Sequence, residues 1–147
     1  MLFLGVLMNI RRGLLYIACF TGGIVSMALA QAAYPPLQVL LSASQTTIGQ
    51  DIAYPPGKPK ITAAIVTMQP DEKTGWHRHE APLFAMVLDG ELTLDYGNGV
   101  TRHFKKDDTF LEAFQSSHQG TNTGDKPVRI LAVFAGSDSV KNTIMDE

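Results

Sequence analysis

The residues of this chain best suited to chemistry are His77 and His79, one residue apart in Trp76-His77-Arg78-His79, and His118, thirty-nine residues after His79 in a turn-rich stretch. Side chains on a strand alternate between its two faces, so His77 and His79 point the same way. A third imidazole arriving from another strand completes a three-point grip on one divalent metal ion. Imidazoles alone do not choose among Fe, Mn, Zn, Ni and Cu. His77 and His79 also have a plainer reading as exposed strand-end residues, and it is their combination with His118 at matched spacing that favours a metal. The fourth, His103, lies among charges in Thr101-Arg102-His103-Phe104-Lys105-Lys106 and reads as a solvated strand residue.

Short strands separated by turn chemistry must position these side chains. Leu37–Leu41 is an apolar run, and 42–57 is a polar connection bearing Tyr54-Pro55-Pro56-Gly57. Ile61–Met68 is β-rich and ends at the turn signal Pro70-Asp71. Gly75–His79 carries the first histidines, and Leu83–Leu88 runs to Asp89-Gly90, a hairpin signature. Glu91–Tyr96 alternates polar and apolar, as a half-buried strand does. After Gly97-Asn98-Gly99 come Val100–Phe104, Thr109–Phe114, His118–Asn122 and Val128–Phe134, each bounded by turn residues. No stretch beyond residue 35 has a long 3.6-residue apolar period, so many short strands predict an antiparallel sandwich or barrel. The polar tail 137–147 is expected to be a short helix or frayed.

The first thirty residues differ in kind. Arg11-Arg12 precede an apolar run from Leu14 to Leu29 that lacks Asp, Glu and Lys and ends in Ala28-Leu29-Ala30-Gln31-Ala32. This pattern describes a secretory signal peptide over 1–32, cleaved after Ala30 or Ala32, and places the protein in the periplasm or outside the cell. A permanent membrane anchor is the rival reading, but the run is short and Gly22-Gly23 interrupt it. Removing 1–32 takes two of the 12 basic residues and none of the 14 acidic ones, leaving a net charge of −4. Nucleic acid and anionic membrane surfaces are therefore not expected partners. Cys19, the only cysteine, leaves with the signal, so the remainder has neither a disulfide nor a thiol nucleophile.

Beyond this point the motifs resemble the cupin superfamily, over 61–136. The first cupin motif has His-x-His, a Glu shortly after, then six residues and a Gly; His77, His79 and Gly90 fit, with Leu83 in the Glu position. In the second, His118 and Asn122 keep register, while Asp107, Ala113 and Gln115 stand at the Gly, Pro and Gly positions. The Trp76-His77-Arg78-His79-Glu80-Ala81-Pro82 stretch is similar to that of small secreted single-domain cupins, which lack the motif-one glutamate and carry one before the second-motif histidine, here Glu112. The resemblance implies an all-β jelly-roll barrel; before it, the apolar run and polar connection make 33–60 an expected N-terminal strand and connecting segment. It also implies a homodimer.

A divalent ion held by three neutral imidazoles keeps its full charge and favours anionic or chelating ligands such as carboxylates, enolates and β-dicarbonyls. It also keeps open coordination positions, which metal catalysis requires. Glu112 has three readings: a fourth ligand, a carboxylate on the outward rim, or an acceptor for an imidazole N–H. It is the one clear acidic candidate for proton transfer. Trp76, Leu83, Phe84, Met86, Phe110 and Phe114 are candidate walls of a substrate pocket, and Asn122 is expected to support a turn. Three-histidine sites resemble those of certain Fe(II) dioxygenases, so the expected function is a metal-dependent enzyme of that type on a small anionic or enolisable compound. The alternatives are a non-catalytic module binding a small molecule or the metal alone, and a structural cupin whose histidines take up zinc adventitiously.

Overall fold

The computed structural model describes residues 36–146; the signal-peptide expectation for 1–32 lies outside them. The chain divides into two units, Met1–Val39 and Leu40–Glu147. Of the first, the described residues Pro36–Val39 have no regular structure and are exposed. The strand expected at Leu37–Leu41 does not form. A five-residue apolar run becomes a strand only where a neighbour supplies hydrogen bonds, and this one has no ladder partner among the described residues.

The second unit is all-β. Its strands are β1 (Pro59–Met68), β2 (His77–Arg78), β3 (Leu83–Asp89), β4 (Glu91–Asp95), β5 (Thr101–Lys105), β6 (Thr109–Leu111), β7 (Gln119–Asn122), β8 (Val128–Ser137) and β9 (Ile144–Met145). Three antiparallel sheets result, of order β1-β8-β3-β6, β5-β4-β7 and β2-β9. The tail expected as a short helix or frayed instead supplies β9, which pairs Ile144 and Met145 with Arg78 and His77. An ion pair between Arg78 and Asp146 fastens it beside the histidines.

Alternation sets the core. In β3 the buried residues are Leu83, Ala85 and Val87, in β4 Leu92 and Leu94, and in β8 the even-numbered Val128 to Phe134. One cluster gathers Met68, Val87, Leu92, Leu94, Phe110 and Val128, with Tyr96 and Phe104 against it. Asn122, fully buried, closes the turn after β7: its Nδ2 donates to the carbonyls of Met68 (3.0 Å) and Lys126 (2.8 Å), and its Oδ1 accepts from Gly124 N (3.0 Å). Gly90 is required where the first motif ends. Its φ is +79°, and a Cβ there would stand 2.7 Å from Val128 Cα. Asp107 and Gln115, at the glycine positions of the second motif, adopt that left-handed conformation without being glycine (φ 73° and 52°).

Candidate metal centre and its cavity

Two segments converge on one point. His77 and His118 exchange both backbone hydrogen bonds (2.9 and 2.8 Å), so the two histidine segments meet at their ligands. His79 follows on the same face, and its carbonyl accepts from Gln115 N at 2.8 Å. The imidazole centroids lie 4.4 Å (His77–His118), 5.0 Å (His77–His79) and 5.0 Å (His79–His118) apart. One nitrogen from each falls within 4.8 Å of the others. All three rings are buried.

The backbone fixes which nitrogens those are. Each Nδ1 faces a carbonyl oxygen: Gly75 for His77 (3.0 Å), Asn142 for His79 (2.8 Å) and Ser116 for His118 (2.9 Å). A carbonyl only accepts, so each Nδ1 carries the proton and each Nε2 presents its lone pair. Burial lowers the pKa of all three, for His79 to about 3, despite the opposing pull of those carbonyls. The imidazoles are thus neutral, which is the ligating form. Convergence, tautomer and protonation state all fit a divalent ion bound by His77, His79 and His118.

Glu112 is 4% exposed, which removes the outward-rim reading. Its amide donates to the carbonyl of Leu83 (2.9 Å), so it enters from the strand beside the residue that holds the motif-one glutamate position. Oε1 accepts from Tyr96 Oη (2.6 Å) and from Ala113 N (2.7 Å), while Oε2 lies 3.8 Å from His118 Nε2. Burial raises the Glu112 pKa, and the hydrogen bonds from Tyr96 and Ala113 partly oppose this. Burial and the Glu112 charge in turn push the Tyr96 phenol well above its ordinary range. The phenol therefore serves as a fixed donor.

The histidines and Glu112 line a cavity of about 230 Å³. Leu83 and Phe110 form part of its wall, but Trp76, Phe84, Met86 and Phe114 do not. Phe84 and Met86 have the wrong parity: on β3 the inward positions are Leu83, Ala85 and Val87. Trp76 stands just before β2 and is 38% exposed. Phe114 lies beyond the end of β6 and is followed by the left-handed Gln115, so strand alternation no longer governs it. His103 is exposed on β5 with Nδ1 2.8 Å from Thr93 Oγ1, apart from the site. Sequence reasoning missed Tyr96, Thr143 and Met145. For Tyr96 a signal existed, since it continues the inward series Leu92, Leu94; for the tail residues none did.

Comparison with known proteins agrees with this architecture. Residues 64–134 match the family model described as Cupin domain. A Klebsiella pneumoniae protein described as having a double-stranded beta-helix domain superposes with a TM-score of 0.51 at 20% identity, covering 65% of this chain and 85% of that one. A Lactobacillus farciminis oxalate decarboxylase in complex with formate gives 0.50 at 26%, covering 58% and 26%. A Bacillus subtilis oxalate decarboxylase studied for its Mn(II) centres gives 0.50 at 21%, covering 58% and 23%. The chain thus spans about a quarter of either decarboxylase. Comparison with curated proteins gives no significant match. Fold and site together define an all-β barrel protein with an internal three-histidine centre. The chain carries a domain of the cupin superfamily.

Proposed function

We propose that the protein is a metal-dependent cupin enzyme, an oxidoreductase of dioxygenase type acting on a small anionic or enolisable substrate. The observation that carries this reading is the buried Glu112 carboxylate, with Oε2 beside His118 and Oε1 tethered by Tyr96 and Ala113. A buried carboxylate held by two donors, with its second oxygen turned toward the histidines, is the arrangement that proton transfer at the site needs. A divalent ion, when bound, supplies positive charge for an anionic or carbonyl head group and, if redox-capable, a route for electrons to O₂. Tyr96 and the Ala113 amide hold Glu112 in place. Oε2 is the atom that takes a proton from the carbon beside the head group and, once that carbon has reacted, gives it to an oxygen of the product. Three neutral imidazoles add no charge of their own, so the head group's negative charge is matched by the ion.

Export of this enzyme to the periplasm or beyond follows from reading 1–32 as a cleaved signal. A homodimer is supported by β1, which ends the four-stranded sheet and exposes Ile61, Ile65 and Val66 along ten residues. The catalytic reading is tested by following oxygen consumption with small β-dicarbonyls, using wild type and Glu112→Gln at matched metal content. We expect the variant to turn over at least about 100-fold more slowly. Equal rates would remove Glu112 from the chemistry. Ligand binding without turnover of any compound would favour the non-catalytic module.

A further inference from the structure

Resting on that reading of the site, we propose that the substrate carries one anionic head group and an apolar tail about the size of a benzene ring, and that the tail lies in the cavity beneath the histidines. The cavity wall is divided sharply by chemistry. Its polar side chains are the three histidines, Glu112, Thr74 and Thr143. The latter three all sit against the histidines: Glu112 at 3.8 Å from His118, Thr74 at 3.4 Å from His77 and Thr143 at 3.4 Å from His79. Everything else lining the cavity is apolar, and among the described residues no Lys or Arg does so.

Small inward-facing residues account for the void. Alternation along β3, β7 and β8 places Ala85, Gly120 and Ala132 at the wall, where larger side chains would have filled the barrel. A Cβ on Gly120 would already touch Leu92, Leu94 and Thr74 at 3.4 Å. An apolar cavity of about 150 Å³ holds benzene, so about 230 Å³ takes a head group at the histidines and a tail of that size. A second charge on the tail would be buried against Leu92, Leu94 and Phe110 with no cation to meet it.

The test uses protein loaded with Co(II), whose visible absorption reports both occupancy of the site and entry of a carboxylate. Titration with acetate, butyrate, benzoate and 2-naphthoate should show affinity rising about fourfold per buried methylene from acetate to butyrate. It should be highest for benzoate and fall for the bicyclic acid. Succinate, which matches butyrate in length but ends in a second carboxylate, should bind at least about tenfold more weakly than butyrate. Ala132→Leu should weaken benzoate more than acetate; Gly120→Ala should do the same by less, and its Co(II) spectrum reports that the site still forms. Cobalt uptake with a flat series, or with succinate equal to butyrate, would overturn the tail pocket alone. Failure to take up cobalt would overturn the metal site and the pocket with it.

Discussion

Val87 and the three histidines are all hidden from solvent, yet different forces hold them there. Val87 sits among Leu92, Leu94, Phe110 and Val128, where any apolar side chain of similar volume gains from leaving water. His77, His79 and His118 lose hydration on burial and are compensated by single carbonyls from Gly75, Asn142 and Ser116. None of those three carbonyls belongs to a strand. The apolar region is therefore specified by periodicity along strands. The histidine region is specified by how the connections and the C-terminal tail return to the same point. Stability should depend chiefly on the first and chemistry on the second.

Substitutions can break that separation or sharpen it. Val87→Ala removes two buried methyl groups from a site with 0% exposure and no part in the cavity wall. We expect a loss of about 2 kcal/mol in denaturant unfolding with metal content unchanged; loss of metal in the folded variant would show that the two regions are coupled. Tyr96→Phe should leave metal content nearly intact, lower stability by on the order of 1 kcal/mol because the buried Glu112 Oε1 loses one of its two donors, and slow turnover about tenfold. The phenol donates to the ionised carboxylate and so lowers the Glu112 pKa. Without it that pKa rises, and the limb of the rate profile on which Glu112 must be ionised should move to higher pH. An unmoved profile would leave Tyr96 a packing residue. Gln115→Gly has the smallest effect. It removes a left-handed strain at φ 52° at the cost of chain entropy, for a net gain of about 0.5 kcal/mol measurable as a raised midpoint.

The strands were legible in the sequence because alternation and turn residues are local. Glu91–Tyr96, for example, shows its two-residue period without reference to anything else, and β4 follows it. The histidines were legible because their spacing matches a motif even where Asp107 and Gln115 replace its glycines. Pocket walls were harder. Phe84 and Met86 attracted notice by size, whereas parity admits Leu83 and Ala85 and turns the larger side chains away. The tail was not legible at all, because Ile144 and Met145 form a strand only by pairing with Arg78 and His77, more than sixty residues earlier in the chain. The partnership of Tyr96 with Glu112 likewise depends on two strands crossing the same interior, and neither residue announces it alone.

The most direct test of the metal centre is elemental analysis of the protein purified without an affinity tag, beside a His77→Ala/His79→Ala variant. We expect about one divalent metal ion per chain in the wild type and none in the variant, because removing two of three converging imidazoles leaves no chelating set. A wild type that is empty and refuses added Fe, Mn, Zn, Ni or Cu, or a variant that retains its metal, would contradict the assignment of His77, His79 and His118 as its ligands.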